Sequence, residues 1–149
     1  MDALDIAILN ILKSNARASF LSIGKAINLS TSAVVERVKK LERSGVISGY
    51  TAIINGKSFD KQLTALVFVS LESPRYIDGF VDFICKNNDV IECHSVTGNY
   101  DFILKIVTEN PLSLEKLLNK IKSETGVIKT YTYVTLDTIK NEYSVAPQL

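Results

Sequence analysis

Residues Phe20–Gly45 constrain this chain more than any other stretch. The run FLSIGKAINLSTSAVVERVKKLERSG reads as two helices joined by a tight corner. Ile23, Ala26 and Ile27 give the first helix an apolar stripe. Asn28, Leu29 and Ser30 interrupt the period, and Val34, Val38 and Leu41 restart it at i, i+4 and i+7. Asn28 falls where the chain must turn sharply, and Asn tolerates left-handed backbone better than any residue but Gly. Ser30, with Thr31 and Ser32 beside it, supplies side-chain oxygens to the unpaired N–H groups of the second helix. Gly45 then stops that helix. A short helix, a three-residue corner and a capped second helix make a helix-turn-helix, whose second helix usually enters the DNA major groove.

Geometry sets which side of the second helix would meet DNA. At about 100° per residue, Val34, Val38 and Leu41 cluster and face the domain core. The opposite side carries Ser32, Glu36, Lys39, Lys40 and Arg43, with Arg37 on a flank. Three Lys/Arg and one Ser on that face can contact phosphates and base edges. The expected contact set is Ser30, Thr31, Ser32, Glu36, Arg37, Lys39, Lys40 and Arg43. An ordinary solvated helix face has a similar make-up, so the corner and cap in front of it carry the weight. Charge agrees mildly: residues 1–55 hold seven Lys/Arg against four Asp/Glu, and residues 56–149 ten against twelve. The first part is +3 and the second −2, which sum to the chain's +1.

Upstream, Asp2–Ser14 reads as a helix with a Leu4, Ile8, Ile11, Leu12 stripe, its N-terminus favoured by Asp2 and Asp5. Ser19 is placed to cap the next helix. Downstream, VISGYTAIIN has the β-branched and aromatic content of a strand or small hairpin, the wing that often follows a third helix. Polar, aperiodic NGKSFDK (Asn55–Lys61) is the linker. Beyond it, Leu63–Glu72 is apolar at nearly every position, which predicts a strand buried on both faces. Ile77–Lys86 is helical, with Ile77, Phe80, Val81 and Ile84 on one side. Val90–Thr97 and Tyr100–Val107 are strands joined by the hairpin signal Gly98-Asn99. Leu112–Glu124 is a helix with Leu114, Leu117, Leu118 and Ile121 inward, and Ile128–Asp137 alternates as a last strand. The order βαββαβ is the ferredoxin-like split βαβ pattern.

The fold expected is therefore α+β. A winged helix-turn-helix covers residues 1–54, a linker 55–62, and a ferredoxin-like domain 63–149. Two helices cover one face of the sheet, so Val67 and Val69, or Leu66 and Phe68 across the pleat, would leave an apolar patch in water. A second copy packed sheet to sheet covers it and gives a two-fold dimer, whose paired heads suit a pseudo-palindromic site.

Composition excludes several classes. Hydrophobic content of 46% supports packed cores rather than disorder. No apolar run approaches the ~20 residues a membrane span needs. The start MDALDIAIL lacks the basic residues of a signal peptide, so a cytoplasmic protein is expected. Cys85 and Cys93 form no CxxC pair and do not complete a zinc site with the lone His94. Buried, reduced thiols are expected, with no metal and no cofactor.

Three segments, LDIAILNILKSNARAS, LSTSAVVERVKKLERSGVISGYTAIIN and ECHSVTGNYDFILK, together resemble the Lrp/AsnC family of bacterial and archaeal transcription regulators. The resemblance runs from about Leu4 to Lys140. It implies a C-terminal domain that dimerises and senses amino acids, and assembly of dimers, commonly to octamers, on double-stranded DNA. It also maps the turn Gly98-Asn99-Tyr100-Asp101 onto the family's effector loop between dimers. Gly98 would let peptide N–H groups hold an α-carboxylate, and Asp101 would pair with an α-ammonium. Thr132 and Thr135 on the last strand would line the pocket. The corner departs from the family, which usually has Gly at Asn28 and often Pro at Thr31.

Two rival functions share this plan. Some sirohaem decarboxylases resemble the same two-domain fold, but such chemistry wants His and Arg around a cavity. Here His94 is the one histidine, and Arg75 the one arginine of the C-terminal domain. The other rival is a small-molecule-binding module whose helix-turn-helix never meets DNA.

Overall fold

The computed structural model describes residues 1–148. The backbone forms two compact units, residues 1–53 joined by the tail from Lys140, and Ile54–Ile139.

In the first unit, α1 (Ala3–Ser14), α2 (Phe20–Ile27) and α3 (Thr31–Arg43) each begin at a polar cap. Asp2 caps α1 reciprocally. Its carboxylate accepts from the Asp5 N–H at 2.9 Å, and the Asp5 carboxylate accepts from the Asp2 N–H at 3.0 Å. Ser19 Oγ accepts from the Ser22 N–H at 3.1 Å at the start of α2. Ile8, Leu12, Ile23, Val34, Val38 and Leu41 meet in one core, with Ile11, Ile27 and Leu29 packed against it. The tail is tied to α1 by a 2.9 Å ion pair between Lys13 and Glu142. It thus groups with the helices rather than with the sheet that precedes it.

The wing strand expected at VISGYTAIIN does not form within the chain. Residues 46–55 have no strand pairing, and Val46, Tyr50, Ile53 and Ile54 are exposed. β-branched composition favours extended backbone, but a strand also needs a neighbour for its N–H and C=O groups. Tyr50 Oη instead donates to Glu42 at 2.9 Å. The linker is not featureless either. Asn55 accepts from the Lys57 N–H at 3.1 Å and caps a 3-10 turn, Gly56–Phe59.

The second unit is a four-stranded antiparallel sheet: β1 (Leu63–Leu71), β2 (Val90–Ser95), β3 (Phe102–Thr108) and β4 (Val127–Val134), in spatial order β2-β3-β1-β4. Helices α4 (Ile77–Cys85) and α5 (Pro111–Ser123) supply the crossovers. The core is a layer between sheet and helices: Ala65, Val67 and Val69; Phe102, Leu104 and Ile106; Phe80 and Ile84; Leu114, Leu117 and Ile121.

Strand β1 is buried on one face only. Leu66 is 37% exposed on the other, and Phe68 is half-buried there. The chain's two sheet-domain helices cover one face of the sheet, and the residues of β1 on that face supply its core. The two cysteines are free thiols and differ from expectation in burial, since both are exposed. Cys85 ends α4 and Cys93 sits on the edge strand β2, where the core layer runs out.

Candidate DNA interface and effector loop

The corner between α2 and α3 takes the geometry its residues dictate. Asn28 lies in the left-handed region at φ 57°, ψ 44°. The Leu29 N–H returns to the Gly24 carbonyl at 2.9 Å. Gly24 is buried, and a Cβ there would stand 2.5 Å from the Leu29 carbonyl oxygen. The close approach that makes the corner tight thus depends on Gly24, a residue that periodicity alone passes over. A glycine inside an otherwise apolar helical stripe is the signal that marks it. Ser30 Oγ accepts from the Ala33 N–H at 3.2 Å and lies 3.1 Å from Ser32 Oγ, which completes the cap.

On α3, Val34, Val38 and Leu41 are buried, whereas Thr31, Ser32, Glu36, Lys39, Lys40 and Arg43 are exposed. Seven of the eight expected contact residues, Ser30 included, therefore lie at the corner or on the outward face. Arg37 is the exception. Its Nη1 donates to both oxygens of Asp2, at 3.0 and 2.8 Å, and to Asp5 Oδ1 at 2.7 Å. Asp5 is 5% exposed, so its carboxylate needs a partner and Arg37 is that partner. The Asp2 carboxyl is held below its ordinary value, first by the Asp5 N–H and then by Arg37. Arg37 fastens α3 to α1, so its guanidinium is engaged within the chain. The signal lies in the acidic residues of the first turn, which a helix-dipole reading alone does not connect to Arg37.

In the sheet domain the turn expected at Gly98-Asn99 is a longer loop, 96–101, because β2 ends at Ser95 and β3 begins at Phe102. The Val96 N–H reaches the Asp101 carbonyl at 3.0 Å and closes it. Gly98 has φ +116° and open space around its Cβ position. Asp101 is anchored twice to β1, its N–H to the Val69 carbonyl at 2.9 Å and its Oδ2 accepting from the Leu71 N–H at 2.7 Å. Pairing of β1 with β3 ends at Val69 and Phe102, and Asp101 satisfies the next N–H on that edge, that of Leu71. Ser70 Oγ donates to the Asn99 carbonyl at 3.2 Å.

Tyr100 packs on Phe68 with ring centroids 5.4 Å apart, and Lys129 Nζ stands 5.3 Å from the Tyr100 centroid. An open groove of about 570 Å³ lies beside them, lined by Phe68, Ser95, Val96, Thr97, Asn99, Tyr100 and Ile103. Of the residues expected at the effector site, Asn99 and Tyr100 line this groove, and Gly98, Asp101, Thr132 and Thr135 do not. Thr132 pairs with Val67 and so shares the helix-covered face, whereas Tyr131 pairs with Phe68 on the open one. Thr135 binds back to Thr64 at the far end of β1. It lies six residues beyond Lys129, or about 20 Å along an extended strand. Thr132 lies within β4, whereas Thr135 lies just past its end. Phe68, Val96, Thr97 and Ile103, which periodicity did not single out, line the groove instead of the threonines. Among the described residues no group of three or more His, Cys, Asp and Glu is placed to hold a metal ion.

Known proteins share both halves of this arrangement. Residues 1–42 match the model of the AsnC-type helix-turn-helix domain, and residues 64–145 that of the Lrp/AsnC ligand binding domain. The leucine-responsive regulatory protein of Haemophilus influenzae is 36% identical, over 94% of this chain and 86% of its own. HTH-type transcriptional regulator FL11 of Pyrococcus abyssi is 33% identical, over 94% and 92%. A transcriptional regulator from Neisseria meningitidis, solved as a complex with L-Met, superposes with a TM-score of 0.93 at 26% identity, covering 97% of this chain and 96% of that one. With both family models matched in order along it, the chain belongs to the Lrp/AsnC family of transcriptional regulators.

Proposed function

We propose that the protein is a sequence-specific regulator that reads double-stranded DNA with α3 and is modulated by an amino acid held at the 96–101 loop. The outward face of α3 is the observation that carries this reading. Lys39, Lys40 and Arg43 stand exposed behind a serine-capped corner, while the remaining cation of the helix, Arg37, is turned inward onto Asp2 and Asp5. Cations left free on one face are available to displace the counterions of phosphate. Ser30, Thr31 and Ser32 at the N-terminus of α3 add hydroxyl donors and the positive end of the helix dipole.

The sheet supports a dimer. Leu66, Phe68, Tyr131 and Tyr133 share its uncovered face, with Phe68 and Tyr133 in edge contact at 5.8 Å. A second copy packed there buries an apolar surface that water otherwise meets, and assembly of such dimers, to octamers among others, brings effector loops together. The groove beside Tyr100 has an apolar wall suited to an aliphatic side chain, in keeping with the L-Met held by the Neisseria protein. An effector works by binding one assembly better than another and so changing the spacing of the DNA-reading heads. The relatives named above are regulators, and we read this chain as a non-enzyme. No described helix is long and apolar enough to cross a membrane, and a DNA-reading role is in keeping with the cytoplasm.

The combined substitution of Lys39, Lys40 and Arg43 by Ala tests the reading. Affinity should fall for every duplex, and the slope of log K against log salt should drop by about 0.9 for each cation lost, or about 2.7 per head. An unchanged slope in a folded variant would reduce the helix-turn-helix to a scaffold.

A further inference from the structure

Charged residues of α3 divide into those with partners and those without. Glu42 accepts from Tyr50 Oη at 2.9 Å, and Arg37 is bound to Asp2 and Asp5. Glu36 is exposed and, among the described residues, has no hydrogen bond or ion pair, although Lys39 and Lys40 follow it at i+3 and i+4. The helix carries a free carboxylate where a phosphate-binding face would be expected to carry none.

Its position on the helix explains how such a face tolerates it. Val34, Val38 and Leu41 are buried and define the core side. At about 100° per residue, Ser32, Arg43 and Glu36 fall together on the line opposite that core. Lys39 falls to one side of this line and Lys40 to the other. Glu36 is thus central, in the middle turn, with a lysine on either flank. When a helix lies in the major groove, its flanks meet the phosphate walls and its central line meets the base edges. A carboxylate is repelled by the walls, but on the groove floor it finds donors. A cytosine presents its N4 amino group there, and Glu or Asp is the side chain that accepts from it.

We infer that Glu36 is a specificity-determining residue: it accepts from the exocyclic amino group of a cytosine in each half-site while Lys39 and Lys40 hold the phosphates on either side. This rests on the DNA-reading role proposed above. The carboxylate serves selection more than affinity, because it penalises any base that offers only acceptors at that position.

Selection from a random duplex library, followed by affinity measurements at one salt concentration, tests the inference on the full chain, on E36A and on E36Q. The wild-type protein should enrich cytosine at one position of each half-site and lose about 5- to 150-fold in affinity when it is replaced. Glu36→Ala should flatten that position and bind the replaced site and random duplex at least as tightly as the wild type. Glu36→Gln keeps the shape of the side chain and adds a donor, so its preference should move toward adenine, whose N6 and N7 suit an amide. A folded E36A that keeps the wild-type preference, or that binds every duplex uniformly less well, overturns the inference while leaving the DNA reading intact. A wild-type protein that selects no sequence overturns both.

Discussion

Replacing Gly24 with alanine sets two calculable effects against each other. Alanine in a helix interior is worth about 1 kcal/mol over glycine. Against this, the new Cβ would stand 2.5 Å from the Leu29 carbonyl oxygen and 3.6 Å from Val34 Cγ2. Real Cβ atoms essentially never come within 3.0 Å of another atom, so a retreat of at least half an ångström is required. That oxygen belongs to the corner itself, between left-handed Asn28 and the Ser30 cap, and cannot rotate away as a side chain would. Overpacking of this kind costs about 1–3 kcal/mol, so G24A should be net destabilised by about 1 kcal/mol. In a helical unit this small, that lowers the midpoint by roughly 4–8 °C. Gly79→Ala is the internal control, since it also lies within a helix, in the first turn of α4, but with open space around its Cβ position. It should raise stability by about 1 kcal/mol. Thermal unfolding followed by circular dichroism measures both, and DNA affinity should fall in G24A because α3 is displaced relative to α2. A G24A protein stabilised as much as G79A would refute the claim that close approach at Gly24 holds the corner.

Two further outcomes follow from the sheet domain. Asp101→Ala should cost about 1–2 kcal/mol in urea unfolding, because the Leu71 N–H, past the end of the β1–β3 pairing, loses its acceptor. Asp101→Asn keeps an acceptor oxygen and should restore most of that stability. A loss of amino-acid binding that persists in D101N would then report the missing charge rather than a disturbed loop. The Glu92 carboxyl is held below its ordinary 4.5, first by a 2.8 Å ion pair to Lys105 and then by His94. Its contribution to stability is therefore complete above about pH 4.5 and disappears as pH falls through the lower folded value. Lys105→Gln should lose stability at neutral pH and lose less than the wild type on acidification below pH 4.5. Parallel pH profiles of the urea midpoint would contradict this.

Local signals were legible in the sequence where one residue does one job. Ser19 and Ser30 are caps, Asn28 is left-handed, and Gly45 lies past the end of α3 at φ +74°. Period and length gave the five helices and four strands, and with them the order βαββαβ. Features that depend on a partner distant in the chain were not legible. Arg37 lies on a flank of α3 by helical geometry, and from there it reaches Asp2 and Asp5, 35 and 32 residues away. The Gly98-Asn99 signal marked a reversal but not its length, because the strands end where Asp101 ties the loop to β1 rather than where β propensity stops. Thr132 and Thr135 fit the right composition, but Thr132 shares the helix-covered face with Val67 and Thr135 lies past the end of β4. VISGYTAIIN has strand composition without a strand, since no described segment of the chain pairs with it.

Binding of the purified protein to the intergenic DNA upstream of its own gene tests the central claim most directly. The comparison is a shuffled duplex of equal composition, at about 150 mM salt, where specific and non-specific affinities are well separated. A specific regulator should prefer the native fragment by about 10³-fold or more. Equal, steeply salt-dependent binding to both duplexes would contradict sequence-specific regulation at this site. No binding to either would contradict the DNA-reading role assigned to α3.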